Sequence, residues 1–148
     1  MKVFLSYGMN HVPEEDLRFM KGFLTKIAKV IFAGEKELEI VSNEAMKGSP
    51  DDGHLYYLGG AIQKMDKCDV VIFSPDALNY TGCYIEHCIV QEYGKLSIML
   101  AYRTIVFADG SDFRLHPGTP VEYLRNVVNE RGGIDNIVGI SPMTFDNV

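Results

Sequence analysis

No tryptophan occurs in the 148 residues, and only three cysteines do, Cys68, Cys83 and Cys88. An odd number without CxxC spacing supports neither a disulfide framework nor a zinc ribbon, and it suits a reducing cytoplasm. Positive charge is also scarce, with 14 Lys and Arg against 20 Asp and Glu, a net charge of −6 and a pI near 5.1. Those 14 cations form no block, whereas binding a phosphate backbone draws on dense Lys and Arg, so a nucleic acid polymer is not an expected partner. Long apolar runs are missing too. MKVFLSYG is too short for a signal peptide, and no window approaches the ~18 continuous apolar residues of a membrane span. The four histidines, His11, His54, His87 and His116, lack metal-binding spacing with one another. What is present is 47% hydrophobic content in a length that suits one core. The expectation is a single domain, 1–148, soluble and cytoplasmic, with no membrane contact.

Hydrophobic periodicity divides the chain into alternating strands and helices. Residues 2–7 form a short apolar run of strand type. Pro13 followed by Glu14, Glu15 and Asp16 has the charge a helix start favours. Leu17, Met20, Phe23, Leu24, Ile27 and Ile31 then recur at helical spacing up to Gly34. Leu38, Ile40 and Val41 make a second strand, and residues 47–53 (KGSPDDG) are a loop by composition. Residues 54–67 read as a helix with Leu55, Leu58, Ile62 and Met65 inward. Residues 69–73 are a continuous apolar run of the kind buried in a parallel sheet. A helix over 81–93 and a strand over 96–102 follow, and residues 104–107 either extend that strand or open a hairpin before Asp109-Gly110. A helix from Thr119-Pro120 to Asn129 is stopped by Gly132-Gly133, leaving 134–140 as an edge strand or irregular tail. This rhythm predicts an α/β fold, a parallel sheet flanked by helices on both faces, flavodoxin-like (Rossmann-like) in order as a three-layer sandwich. In such a sheet the loops after the first and third strands meet at a switch point. That brings Tyr7 and Gly8 beside residues 74–80, with Glu86 beneath, as one cleft.

Several residues near that point carry chemistry. Glu86 lies on a helix whose inner face is expected to be Cys83, Ile85, Ile89, Val90 and Tyr93. A charge there is either solvent-facing or placed for function, and periodicity leaves both open. Gly82 reads equally as a simple helix-start turn or as a place where a ligand approaches the backbone. Tyr7 and Tyr80 are packing residues or ligand contacts. Ser74 and Asp76 follow the third strand, where Asp76 either makes an Asx turn after Pro75 or meets a ligand. Asp51 and Asp52 fit a solvated loop. His87 points about one hundred degrees around the helix from Glu86, and Cys83 reads as a buried structural thiol.

The spacing Gly82-x-x-x-Glu86, with Gly94-Lys95 eight and nine residues beyond the glutamate, resembles the active-site stretch of the nucleoside 2-deoxyribosyltransferase-like superfamily. Ser6-Tyr7-Gly8-Met9 resembles that family's strand-to-glycine loop, and YYLGGAIQKMDKCDVVIF its helix leading into a strand headed by an Asp, here Asp69. The resemblance implies that Glu86 attacks the anomeric carbon of a nucleoside sugar. It also implies that Gly8 and Gly82 shape a sugar or phosphate pocket, that Tyr7 and Tyr80 contact base or carboxylate, and that Ser74 and Asp76 supply hydrogen bonds. No metal or redox cofactor is called for, since a carboxylate and oriented donors suffice for an oxocarbenium-like transition state. A homo-oligomer is implied as well, with the apolar tail from Pro142 to Phe145 a candidate contact. Two positions depart from the pattern. Tyr80 and Ala61 stand where the family usually carries acidic groups, which points to a different leaving group, plain hydrolysis or lost activity.

A second family is similar over the same residues. SPDALNYTGCYIE has the Ser-to-Glu separation of twelve and the Cys three before the Glu found in TIR domains, and KVFLSY resembles their opening strand. That likeness implies cleavage of NAD at its nicotinamide bond. The alternative from a different class is a non-catalytic nucleotide-binding signalling module. In each case the expected ligand is a small nucleoside, nucleotide or related ribosyl compound.

Overall fold

The computed structural model describes residues 1–42 and 53–147. Four strands form a parallel sheet: β1 (Lys2–Ser6), β2 (Glu39–Val41), β3 (Val70–Phe73) and β4 (Ser97–Met99), in the order β2-β1-β3-β4. The helices between them are α1 (Glu14–Ile31), α2 (His54–Asp66) and α3 (Thr81–Glu92). Of the loop expected over residues 47–53, only Gly53, at the start of α2, is among the described residues; Asp51 and Asp52 are not.

Period-two alternation in the strands splits the core into two clusters. Val3, Leu5, Val70, Ile72 and Ile98 pack toward α1, whose Phe23, Leu24 and Ile27 are fully buried and contribute roughly 1.5–3 kcal/mol apiece. Phe4, Val71 and Phe73 point the other way, onto Ala61 and Met65 of α2 and Cys83 and Val90 of α3. Helices therefore cover both faces of the parallel sheet. Acidic Glu14, Glu15 and Asp16 sit in the first turn of α1, with Lys29 in its last, as the helix dipole favours. Asp69, just before β3, is structural: its Oδ2 accepts the Lys2 N–H at 2.7 Å and its own N–H donates to the Lys2 carbonyl at 2.8 Å.

The second half of the chain departs from the expected single sheet. β4 stops at Met99 rather than continuing to 102, because the chain turns through Leu100 to Arg103 with Tyr102 at φ 69°. β5 (Thr104–Phe107) and β6 (Asp112–Arg114) make the hairpin, and after α4 (Val121–Glu130) the strand β7 (Ile137–Ser141) pairs with the other edge of β5. The result is a separate three-stranded antiparallel sheet, β6-β5-β7. Its buried side chains, Ile105, Phe107, Ile137 and Ile140, join the α1 cluster. Arg125 of α4 pairs with Asp16 at 2.5 Å and Glu15 at 3.3 Å, tying α4 to the start of α1.

The tail proposed for a subunit contact is occupied within the chain. Phe145 stacks on Phe32 with centroids 6.2 Å apart. Asp146 accepts the Met99 N–H at 2.5 Å and donates its own N–H to the Ser97 carbonyl at 2.9 Å, while Asn147 accepts the Ser97 N–H at 3.0 Å. Residues 146 and 147 thus satisfy backbone groups of β4 that a fifth strand would otherwise take. Arg103, 4% exposed, holds the tail there: Nε donates to the Met99 carbonyl at 2.9 Å, Nη1 to the Pro142 carbonyl, and Nη2 to the Thr144 carbonyl at 2.9 Å and to Asp146 at 2.6 Å. No described helix is long and apolar enough to cross a membrane.

Candidate functional site

A cleft of about 880 Å³ opens at the carboxyl end of β1, where open α/β sheets place their ligands. One wall is the turn after β1, from Tyr7 to His11; a second is the start of α2, with His54, Leu55 and Ala61; a third is the start of α3, with Tyr80, Gly82 and Glu86.

Glu86 is on the second turn of α3 and is 7% exposed. The three buried residues of that helix are Cys83, Glu86 and Val90, spaced three and four apart on one stripe. The expected inner face is corrected accordingly: Ile85 and Ile89 are half-buried and Tyr93 is exposed, so the glutamate occupies the core stripe itself. Its Oε1 accepts a hydrogen bond from the Ser6 hydroxyl at 3.2 Å, whereas Oε2 is buried and has no hydrogen-bond partner among the described residues. Burial raises the carboxyl from 4.5 to about 7, against the smaller lowering effect of the Ser6 hydroxyl.

The residues singled out in the sequence divide between the cleft and its surroundings. Tyr7, Gly8, Tyr80 and Gly82 all line the cleft with Glu86. Tyr7 is buried, and its side chain belongs to the α1 cluster on the face opposite Ser6. Gly8 answers to a steric demand, since a Cβ there would lie 2.3 Å from the Tyr80 ring. The ring covers the glycine backbone and fixes that edge of the cleft. Gly82 has nothing within 4 Å of its would-be Cβ and faces open space. Ser74 and Asp76 are not among the lining residues. Ser74 is fully buried, and its hydroxyl donates to Asp76 Oδ1 at 2.8 Å, so the two satisfy each other behind the loop. Burial raises the Asp76 carboxyl, and the Ser74 hydrogen bond offsets part of that.

Other groups are excluded from chemistry by their surroundings. Burial pushes the Cys83 thiol up to about 12, which leaves it protonated. His87 packs edge-on against Phe73 at 5.2 Å, and burial lowers its pKa. Gly94, part of the recognised spacing, has φ +66° where α3 ends, and the Lys95 N–H returns to the Val90 carbonyl at 3.0 Å. That part of the motif is a helix stop. Among the described residues no group of three or more His, Cys, Asp or Glu side chains is arranged to hold a metal ion.

Ser6 is the site residue the sequence reading passed over. Its signal was present: it lies two residues after Phe4 on an otherwise apolar strand, and so on the face of α2 and α3. His11, with φ 59°, and His54 were set aside for want of metal spacing, yet both line the cleft.

Comparison of the chain with family models, curated proteins and solved structures finds no match. The geometry of the cleft must therefore carry the functional argument.

Proposed function

We propose that this domain cleaves or transfers the N-glycosidic bond of a nucleoside, nucleotide or related ribosyl compound, with Glu86 as nucleophile. One observation carries the reading: the cleft is lined by a buried glutamate carboxyl with one oxygen hydrogen-bonded to Ser6 and the other without a partner among the described residues. An ordinary surface glutamate has no reason to occupy a helix's core stripe, because burying an uncompensated charge is costly. At a reacting centre the same feature is useful, since a poorly solvated carboxylate gains most when positive charge develops beside it.

In the proposed step Oε2 attacks the anomeric carbon as the C–N bond to the base breaks, and the bonding pair leaves with the base. Water, or a second base, then displaces the glycosyl ester and frees the carboxylate. Gly82 leaves room for the sugar at the start of α3, and the Tyr80 ring offers a face on which a base can stack. The strand order β2-β1-β3-β4 supports assignment to the flavodoxin-like arrangement and, with the Gly82 to Glu86 spacing, to the nucleoside 2-deoxyribosyltransferase-like superfamily. A homo-oligomer belongs to the same reading, through a surface other than the Phe145 side of the tail.

The test is release of free base from a panel of deoxynucleosides, ribonucleosides, their 5′-phosphates and NAD. Release from at least one class, reduced roughly 100-fold or more by Glu86→Gln, is expected. No release from any class, or equal rates for the variant, overturns the reading. Release confined to NAD moves the domain to the TIR-like alternative.

A further inference from the structure

Building on Glu86 as the nucleophile, we infer that Ser6 is a positioning residue that holds Oε1 and thereby reserves Oε2 for attack. Ser6 ends β1 and is 1% exposed, so its hydroxyl must find partners inside the protein. Its recorded partner is Glu86 Oε1 at 3.2 Å. A hydroxyl has one proton to give, and here it is committed to the carboxyl group.

The result is a single directed bond that ends on one of two otherwise equivalent oxygens. Without it the carboxylate is free to rotate and present either oxygen, or to turn from the cleft. The fold places both partners rigidly, Ser6 in an inner strand of the parallel sheet and Glu86 in the buried stripe of α3. The other titratable groups lining the cleft are Tyr7 and His11 after β1, His54 and Tyr57 from α2, and Tyr80 ahead of α3. Burial raises the Glu86 carboxyl and the Ser6 hydrogen bond lowers it. Removing that hydrogen bond therefore leaves a specific signature.

The experiment is a carboxyl-carbon NMR titration of protein labelled at glutamate, with the Glu86 signal assigned by its absence in Glu86→Gln. It needs no substrate and reads Ser6 independently of turnover. Ser6→Ala is expected to raise the Glu86 midpoint by about 0.7 unit, the equivalent of one hydrogen bond. Ser6→Thr, or Ser6→Cys if the extra methyl does not fit, keeps a donor and is expected to return toward wild type. In base-release assays Ser6→Ala is expected to lower kcat roughly tenfold with KM little changed, and to move the acidic limb of the pH profile up in parallel. An unchanged or lowered midpoint in Ser6→Ala, or an equal rise in the donor-retaining variant, overturns the inference. A raised midpoint with no base release from wild type on any substrate instead overturns the reading of the site as a glycosidic enzyme, and with it the catalytic use of the hydrogen bond.

Discussion

Two buried charges, Arg103 at the edge strand β4 and Glu86 in the cleft, show how differently this fold treats a structural ion and a reactive one. The guanidinium is surrounded by acceptors, three carbonyls and the Asp146 carboxylate, and its partner Asp146 also caps the Met99 N–H. Glu86 is nearly as buried, yet it has one hydrogen bond and an oxygen with none among the described residues. The first network closes the sheet edge and anchors the tail. The second arrangement costs stability, and the cost is intelligible only if a ligand completes it. A fold able to satisfy Arg103 so fully and to pair Asp76 with Ser74 has left one buried oxygen of Glu86, beside the cleft, without a hydrogen-bond partner among the described residues.

The contrast breaks most sharply at Arg103. Arg103→Ala leaves Asp146 and three carbonyls without their donor, and chemical denaturation is expected to show a loss of about 3–5 kcal/mol. A loss below about 1 kcal/mol would mean that the two charges do not differ as described. Glu86→Gln is expected to move stability the other way. The folded state retains the Glu86 proton between pH 4.5 and about 7, where an unfolded chain has released it, so this residue's contribution worsens as pH rises through that window and levels off above it. The Glu86→Gln variant should be more stable than wild type by about 1–3 kcal/mol at pH 8, with the gap closing toward pH 5. Wild-type activity, which needs the ionised carboxylate, should rise through pH 7 over the same interval. Thermal melts at the two pH values check the sign.

Two glycines repeat the contrast in the backbone. Gly8→Ala forces the Tyr80 ring off the turn and is expected to cost about 1–3 kcal/mol, while Tyr80→Ala added to it recovers most of the loss. Simple additivity of the two in denaturation would remove the ring-on-glycine contact from the account. Gly94→Ala is strained by its φ of +66° and should cost about 1 kcal/mol with less than a twofold change in base release. A large activity loss there would make the helix stop part of the site.

The legible parts of this molecule are those where one physical signal dominates. The apolar run at residues 69–73 reads as a buried strand, and the acidic turn after Pro13 reads as the start of a helix. The β6-β5-β7 sheet was not legible as a sheet, because strands of three to five residues carry too little alternation to reveal their partners. Glu86 was found through its spacing from Gly82. Its place on the core stripe stays open in the sequence because a carboxylate breaks the apolar pattern that marks such a stripe. Ser74 and Asp76 sat in the right loop by sequence, but their mutual hydrogen bond turns them from the cleft. Ser6 was hidden for the opposite reason, as one small polar residue closing a hydrophobic strand.

Covalent capture of the sugar on Glu86 is the decisive experiment for a glutamate nucleophile. A 2′-fluoro analogue of whichever substrate class releases base slows turnover by destabilising positive charge at the anomeric carbon. Intact-mass and peptide mass spectrometry then read the protein. The account predicts one glycosyl unit per chain on the peptide carrying Glu86 in wild type, and none in Glu86→Gln. Base release without any adduct, or an adduct on another residue that persists in Glu86→Gln, would contradict it.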